Sequence, residues 1–133
     1  MPEAGPAWPD PDNALIGIED WLARTGTRMR LLSRDKFEAG LARARTAHGY
    51  DPDASLGHLA AIMFEGITTQ HPFQDGNKRA ALLCALTFLL MNGRYLDAEE
   101  DALERVCRAT VAGEQSVDAL ARFFEDHLVD DLA

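Results

Sequence analysis

The chain has 133 residues, 47% of them hydrophobic and 26% charged, and a formal net charge of −9 at pH 7. That length suits one domain able to bury a real core. The acidic balance argues against direct nucleic-acid binding, which needs a basic surface that releases counterions, and no run reaches the ~18 apolar residues of a membrane span.

Four prolines, Pro2, Pro6, Pro9 and Pro11, crowd the N-terminus, and proline offers no N–H to a helix interior. Residues 1–12 therefore read as a Pro-rich flexible arm, from which Trp8 can still pack on the body, and 13–133 as the domain. The N-terminus lacks the basic and apolar regions of a secretory leader, which predicts a cytoplasmic protein.

Asn13 is expected to cap a first helix running to about Thr25, with Leu15, Ile18 and Leu22 at helical spacing and Gly26 as stop. Ser33 suits the N-cap of a second helix, with Phe37, Leu41 and Ala44 on one face and an end near His48-Gly49. Residues Tyr50 to Ala54 read as a turn. Ser55 then opens a third helix whose apolar stripe is Leu56, Leu59, Ala60, Met63 and Ile67. It delivers His71, where the following Pro72 disfavours helical geometry.

A fourth helix from Asn77 to Asn92 is apolar nearly all round, as a central buried helix should be. Asp97 with Glu100 resembles a capping box for a fifth, carrying Leu103, Val106 and Val111 and stopped by Gly113. Ser116 caps a sixth, with Val117, Leu120, Phe123, Phe124 and Leu128 apolar. No β-alternation is sustained and no repeat is visible. The expected fold is all-α, a compact bundle around a central buried helix. Cys84 and Cys107 fall in helical patterns without metal-like spacing and read as buried, reduced thiols.

The chemistry concentrates in His71-Pro72-Phe73-Gln74-Asp75-Gly76-Asn77-Lys78-Arg79. This is a short loop feeding a helix N-terminus, where unpaired N–H groups and the macrodipole attract phosphate. Gly76 permits a tight turn and close ligand approach. Lys78 and Arg79 add cations, Arg79 with a fork suited to phosphate oxygens. Asp75 is a hard oxygen ligand of the kind Mg²⁺ takes alongside substrate phosphates, and His71 is suited to general-base work near neutral pH. Together they point to phosphoryl or nucleotidyl transfer. His48, His58 and His127 read as structural or solvated.

HPFQDGNKR resembles the signature of the Fic/Doc family, HPFx[D/E]GN followed by Gly or Lys and then Arg, and every constrained position is matched. Upstream, residues Phe37 to Ala44 are loosely similar to a segment of Doc-like members, so the resemblance spans roughly 30–125. It implies a Fic/Doc-like helical domain that uses ATP and Mg²⁺ to modify a hydroxyl side chain of a host protein. In these terms His71, Lys78 and Arg79 are catalytic, with His71 the base. Gly76, Asn77, Lys78 and Arg79 bind the nucleotide, Asp75 holds the metal, and Phe73 is structural.

Lys78 stands where many of the family's AMP-transferases have Gly and where its phosphotransferase has Lys. By resemblance, Lys implies a reversed nucleotide and transfer of phosphate. Gly76, by contrast, is the residue typical of AMP-transferases. The favoured reading is a Doc-like toxin that phosphorylates elongation factor Tu and arrests translation. AMPylation of Ser, Thr or Tyr is the alternative, and a catalytically inactive binding module the second alternative.

The family also implies a flap that holds the target peptide, for which residues 45–54 are the candidate. Many members restrain themselves with an [S/T]xxxE[G/N] helix. Here Glu65-Gly66 is preceded by Ala61 at the Ser/Thr position, and Glu114 is followed by Gln115, so neither segment qualifies. The resemblance therefore implies restraint by a Phd-like antitoxin that folds onto the toxin. Residues 24–45 carry seven Arg/Lys against two acids, while 97–131 carry eleven acids against three bases. The basic stretch, with Arg24, Arg28 and Arg30, is the expected docking face for an acidic antitoxin segment.

Overall fold

The computed structural model describes residues 5–26 and 30–130. Helix α1 (Pro11–Arg24) starts earlier than Asn13 suggested, because Asp10 is the cap and accepts the Asn13 N–H at 3.1 Å. Pro11 then occupies the first helical position, where its missing N–H costs nothing. Ahead of it, Trp8 stacks on Phe88 with ring centroids 5.1 Å apart, and Ala7 exchanges hydrogen bonds with the Asn92 side chain.

Helix α2 (Arg34–Tyr50) is capped by Ser33 and α3 (Leu56–Gln70) by Ser55, as expected. A second cap on α3 comes from far along the chain: Glu125 accepts the Gly57 N–H at 2.6 Å, setting a carboxylate at the positive end of the helix. Helix α4 (Asn77–Met91) is followed by β1 (Arg94–Leu96), α5 (Glu100–Val111), α6 (Val117–His127) and β2 (Leu128–Asp130). The two strands pair antiparallel with Tyr95 opposite Val129. Each has three residues, too few for an alternating pattern to show in sequence. The Asp97 N–H serves this ladder by donating to the His127 carbonyl at 2.9 Å. The expected capping box is absent; Glu99 takes the cap position of α5 without a side-chain bond.

Among the described residues the fold is thus six helices and one small ribbon, the helical architecture expected. Its centre is α3 rather than α4. Helix α3 packs against α2, α4 and α6, and buries Leu59, Ala60, Ala61, Met63, Phe64 and Ile67. Helix α4 buries Ala80, Ala81, Cys84, Ala85, Phe88 and Leu89 but leaves Leu90 and Met91 exposed. The α2–α3 crossing is close because Gly40 meets Gly66: a Cβ on Gly40 would stand 2.7 Å from the Gly66 carbonyl oxygen.

Phe37, Phe64, Phe73, Phe88 and Phe124 are fully buried in one core. Phe73 comes from the signature loop and meets Phe37 edge-on at 5.7 Å, so the loop is anchored by its own aromatic ring. Both cysteines are buried, and burial pushes each thiol up to about 12. No helix among the described residues is long and apolar enough to cross a membrane.

Candidate active site

The site begins where α3 stops. His71 takes a left-handed conformation (φ 53°, ψ 55°) as C-cap, its N–H still bonded to the Ile67 carbonyl at 3.1 Å. Left-handed backbone is uncommon for a residue with a Cβ, and here Pro72 bars the right-handed alternative. The kink turns the chain from α3 into the loop and leaves the imidazole exposed. Two residues on, Phe73 returns to the core.

Asn77 ties the loop together. Among the described residues it is the buried polar residue of the core, 8% exposed. Its Oδ1 accepts the Phe73 N–H at 2.9 Å and its Nδ2 donates to the Phe73 carbonyl at 2.8 Å. Those two bonds fix the amide's orientation and aim the remaining Nδ2–H at His71 Nδ1, 3.3 Å away. With Asn77 donating, Nδ1 carries the lone pair and the neutral ring holds its proton on Nε2. Asn77 is therefore a loop clamp inside the first turn of α4, not the helix cap.

The cap is Gly76, at φ 76°, and it supplies no side-chain bond. The leading N–H groups of α4 have no acceptor within the helix, so an uncapped positive end opens at the loop. Asp75 does not cover it, since its Oδ1 accepts the adjacent Gly76 N–H at 2.9 Å. A cavity of about 550 Å³ lies over this turn, lined by His71, Asp75, Gly76, Asn77, Lys78 and Arg79 together with Thr68, Gln74, Arg108 and Val111. Every expected site residue except the structural Phe73 thus faces one space.

Helix α5 supplies what the signature did not announce. Glu104 Oε1 accepts Lys78 Nζ at 2.9 Å and Arg108 Nη2 at 3.2 Å. The Lys78 hydrogen bond, then that of Arg108, holds the Glu104 carboxyl below the usual range. The only sequence signal for this pair is the i,i+4 spacing of Glu104 and Arg108, and nothing in that spacing says which surface α5 covers.

Asp75 is the one carboxylate lining the cavity, and among the described residues no three His, Cys, Asp or Glu side chains cluster as a metal site. The donor set therefore fits Mg²⁺, which binds through one or two carboxylates and takes its other ligands from phosphates and water, and does not fit an all-protein metal cage.

Residues 45–54, the expected flap, form the end of α2 and a turn and do not line the cavity. The segment beside the loop is instead 30–33. Leu31 bridges Phe73, the Leu32 and Ser33 N–H groups donate to the Pro72 carbonyl at 2.8 and 3.2 Å, and the Gln74 N–H donates to the Arg30 carbonyl at 2.9 Å. His48, His58 and His127 lie away from the cavity, near Trp8, Asp118 and Phe123 respectively. Glu65 pairs with Arg43 at 3.5 Å. Of the expected docking cations, Arg24 pairs with Asp20, and Arg28 lies outside the described residues.

The pattern of the Fic/DOC family matches residues 9–89. Toxin Doc of Mycolicibacterium smegmatis is 34% identical over 77 residues, which are 57% of this chain and 59% of that protein. Protein kinase doc of Escherichia phage P1 is 33% identical over 109 residues, 80% of this chain and 85% of that protein. Among solved structures, the BepC effector of Bartonella tribocorum, crystallised with AMPPNP, superposes with a TM-score of 0.49 at 16% identity, over 78% of this chain and 58% of that one. At that distance it bears on neither activity nor ligand. The family pattern takes in α1 to α3, the whole signature and nearly all of α4, and by that match the chain belongs to the Fic/DOC family.

Proposed function

We propose that the chain is a Doc-like toxin that moves phosphate from ATP to a hydroxyl side chain of a host protein. Elongation factor Tu is the prime candidate target, with translation arrest as the outcome. One observation carries the reading: His71 faces the same cavity as the uncapped N-terminus of α4 with its Lys78 and Arg79. Two relatives, a toxin and a protein kinase, support it.

In this reading Gly76, Asn77, Lys78 and Arg79 hold the phosphates, through backbone N–H groups and the two cations. Asp75 would hold Mg²⁺, which when bound neutralises phosphate charge. The target oxygen attacks the γ-phosphorus, the bond to the ADP oxygen breaks, and the hydroxyl proton passes to His71. Rate comes from positioning and charge neutralisation. To take a proton on Nε2, His71 must first carry its own proton on Nδ1, which gives up the Asn77 contact. At 3.3 Å that contact is long, and the exposed ring can exchange the proton with water.

A second reading, protein AMP-transferase, is favoured by Gly76 and by the position of Lys78. Its ammonium is engaged by Glu104 at 2.9 Å. ATP labelled at the α- or γ-phosphorus, incubated with Mg²⁺, lysate and either wild type or His71→Ala, separates the two. Label from the γ-position alone, lost in the variant, supports phosphate transfer; label from the α-position makes the enzyme an AMP-transferase. A Phd-like antitoxin docking on the basic stretch around Arg24 and Arg30 would restrain the toxin. Undiminished antitoxin binding after Arg24, Arg28 and Arg30 are all neutralised would exclude that face.

A further inference from the structure

We propose that Arg108 is a further phosphate-binding residue of the nucleotide site, presented by α5 and set in place by Glu104. The inference rests on the nucleotide reading above but concerns a part of the chain beyond residues 9–89, which the family pattern matches.

Arg108 lines the same cavity as Lys78 and Arg79, although it comes from a different helix. Its side chain is 65% exposed, and through Nη2 it meets the same Glu104 oxygen that holds Lys78. A guanidinium has five N–H donors in a planar fork. The Nη2 contact leaves the rest of the fork available for phosphate oxygens.

An ordinary i,i+4 surface pair is the simpler account of Glu104 and Arg108. It does not explain why the same carboxylate reaches α4 and fastens Lys78. One carboxylate between two cations leaves positive charge in excess, and among the described residues that line the cavity Lys78, Arg79 and Arg108 stand beside one carboxylate, Asp75. In a chain of net charge −9, this is a local reversal of sign at the one place where phosphate is expected. Glu104 acts as a positioning residue: it keeps two mutually repelling cations at one edge of the cavity without cancelling both. Val111, 51% exposed and one turn beyond Arg108, lines the same cavity and offers an apolar neighbour for the nucleoside.

The test is direct binding of ATP, ADP and AMP to the full chain by calorimetry, with Mg²⁺ present. Wild type is compared with Arg108→Ala, Arg108→Lys, Glu104→Gln and Arg105→Ala. Arg105 lies on the same helix but lines the groove toward α6 and not this cavity. Arg108→Ala is expected to weaken ATP about tenfold and AMP less than about threefold, because charge-assisted bonds to the outer phosphates are lost. Arg108→Lys should fall between, keeping the charge without the fork. Glu104→Gln takes away the carboxylate that sets Arg108 and Lys78 in place and should weaken ATP by about threefold, and Arg105→Ala should stay within about twofold. Equal ATP affinity in Arg108→Ala and wild type overturns the proposal. So does an equal loss for AMP and ATP, or an equal effect of Arg105→Ala. A wild type that binds none of the three overturns the nucleotide reading itself and this inference with it. Thermal melts of each variant separate lost contacts from lost fold.

Discussion

Asn77→Ala tests whether the signature asparagine is primarily a clamp. The side chain answers both the N–H and the carbonyl of Phe73, a residue with no solvent exposure. Alanine leaves that donor and that acceptor without a partner inside the core. Each buried group stripped of its bond costs about 1–3 kcal/mol, and loop relaxation recovers part, so a loss of roughly 2–4 kcal/mol is expected. For a domain of this size that lowers Tm by roughly 10 °C. Urea unfolding followed by circular dichroism measures it, with the slope m as the check that the denatured state is unchanged. Asn77→Asp should fare no better, because it keeps the acceptor for the Phe73 N–H but turns a carboxylate oxygen toward the Phe73 carbonyl. Asp75→Ala is the contrast, an exposed loop side chain bonded only to its neighbour's N–H, with an expected change within about 0.5 kcal/mol. A midpoint for Asn77→Ala within that same margin, at unchanged m, would refute the clamp and leave Asn77 with ligand binding alone.

His71→Ala should reduce protein labelling at least about a hundredfold while leaving urea stability nearly unchanged, since the ring is exposed and general-base removal costs that much. Gly66→Ala should destabilise by about 1–3 kcal/mol, because its methyl would run into the Gly40 carbonyl oxygen across the α2–α3 crossing; a wild-type melting temperature would mean the helices can part cheaply. Cys84 and Cys107 should resist alkylation at pH 8 until denaturant is added, as mass spectrometry would report. Their folded values near 12 lie above the ordinary 9.0, so the folded state binds more protons between those limits. The stability from burying the neutral thiols is therefore complete below pH 9 and lost as pH climbs toward 12. A Cys84→Ala, Cys107→Ala double variant should show a shallower alkaline decline.

Helix existence and the active loop were readable because both rest on local chemistry. Ser33, Ser55 and Ser116 cap as their positions suggested, and the signature packs base, metal ligand and phosphate donors into nine consecutive residues. The misreadings fall where a long-range contact decides. Asn13 lost the first cap because Pro11 can begin a helix one residue after Asp10. Asp97 looked like a cap, yet its N–H is claimed by His127 thirty residues on, through a ribbon too short to leave a pattern. The centre of the bundle is α3 although α4 is apolar nearly all round, because Gly57 and Gly66 let α3 admit Glu125 and the α2 backbone. The backbone that borders the loop is Arg30 to Ser33 rather than residues 45–54, and only pairing with Pro72 and Phe73 reveals it.

The two helices that meet the cavity present opposite ends to it. Helix α4 begins there with the positive end of its dipole, while α5 reaches it in its last turn, through Arg108 and Val111, with the negative end. An anion drawn by the first is opposed by the second unless a cation stands in that last turn. The charge order of α5, Glu100 and Asp101 in its first turn and Arg108 in its last, suits its own dipole and in the same stroke sets a guanidinium at the cavity. The long-range repulsion of a −9 chain is screened beyond roughly 8 Å at physiological salt, so groups within contact distance decide whether a nucleotide stays. Removing Arg108 therefore subtracts a phosphate donor from the cavity and a cation from the last turn of α5. Removing an equally exposed arginine elsewhere on α5 subtracts neither.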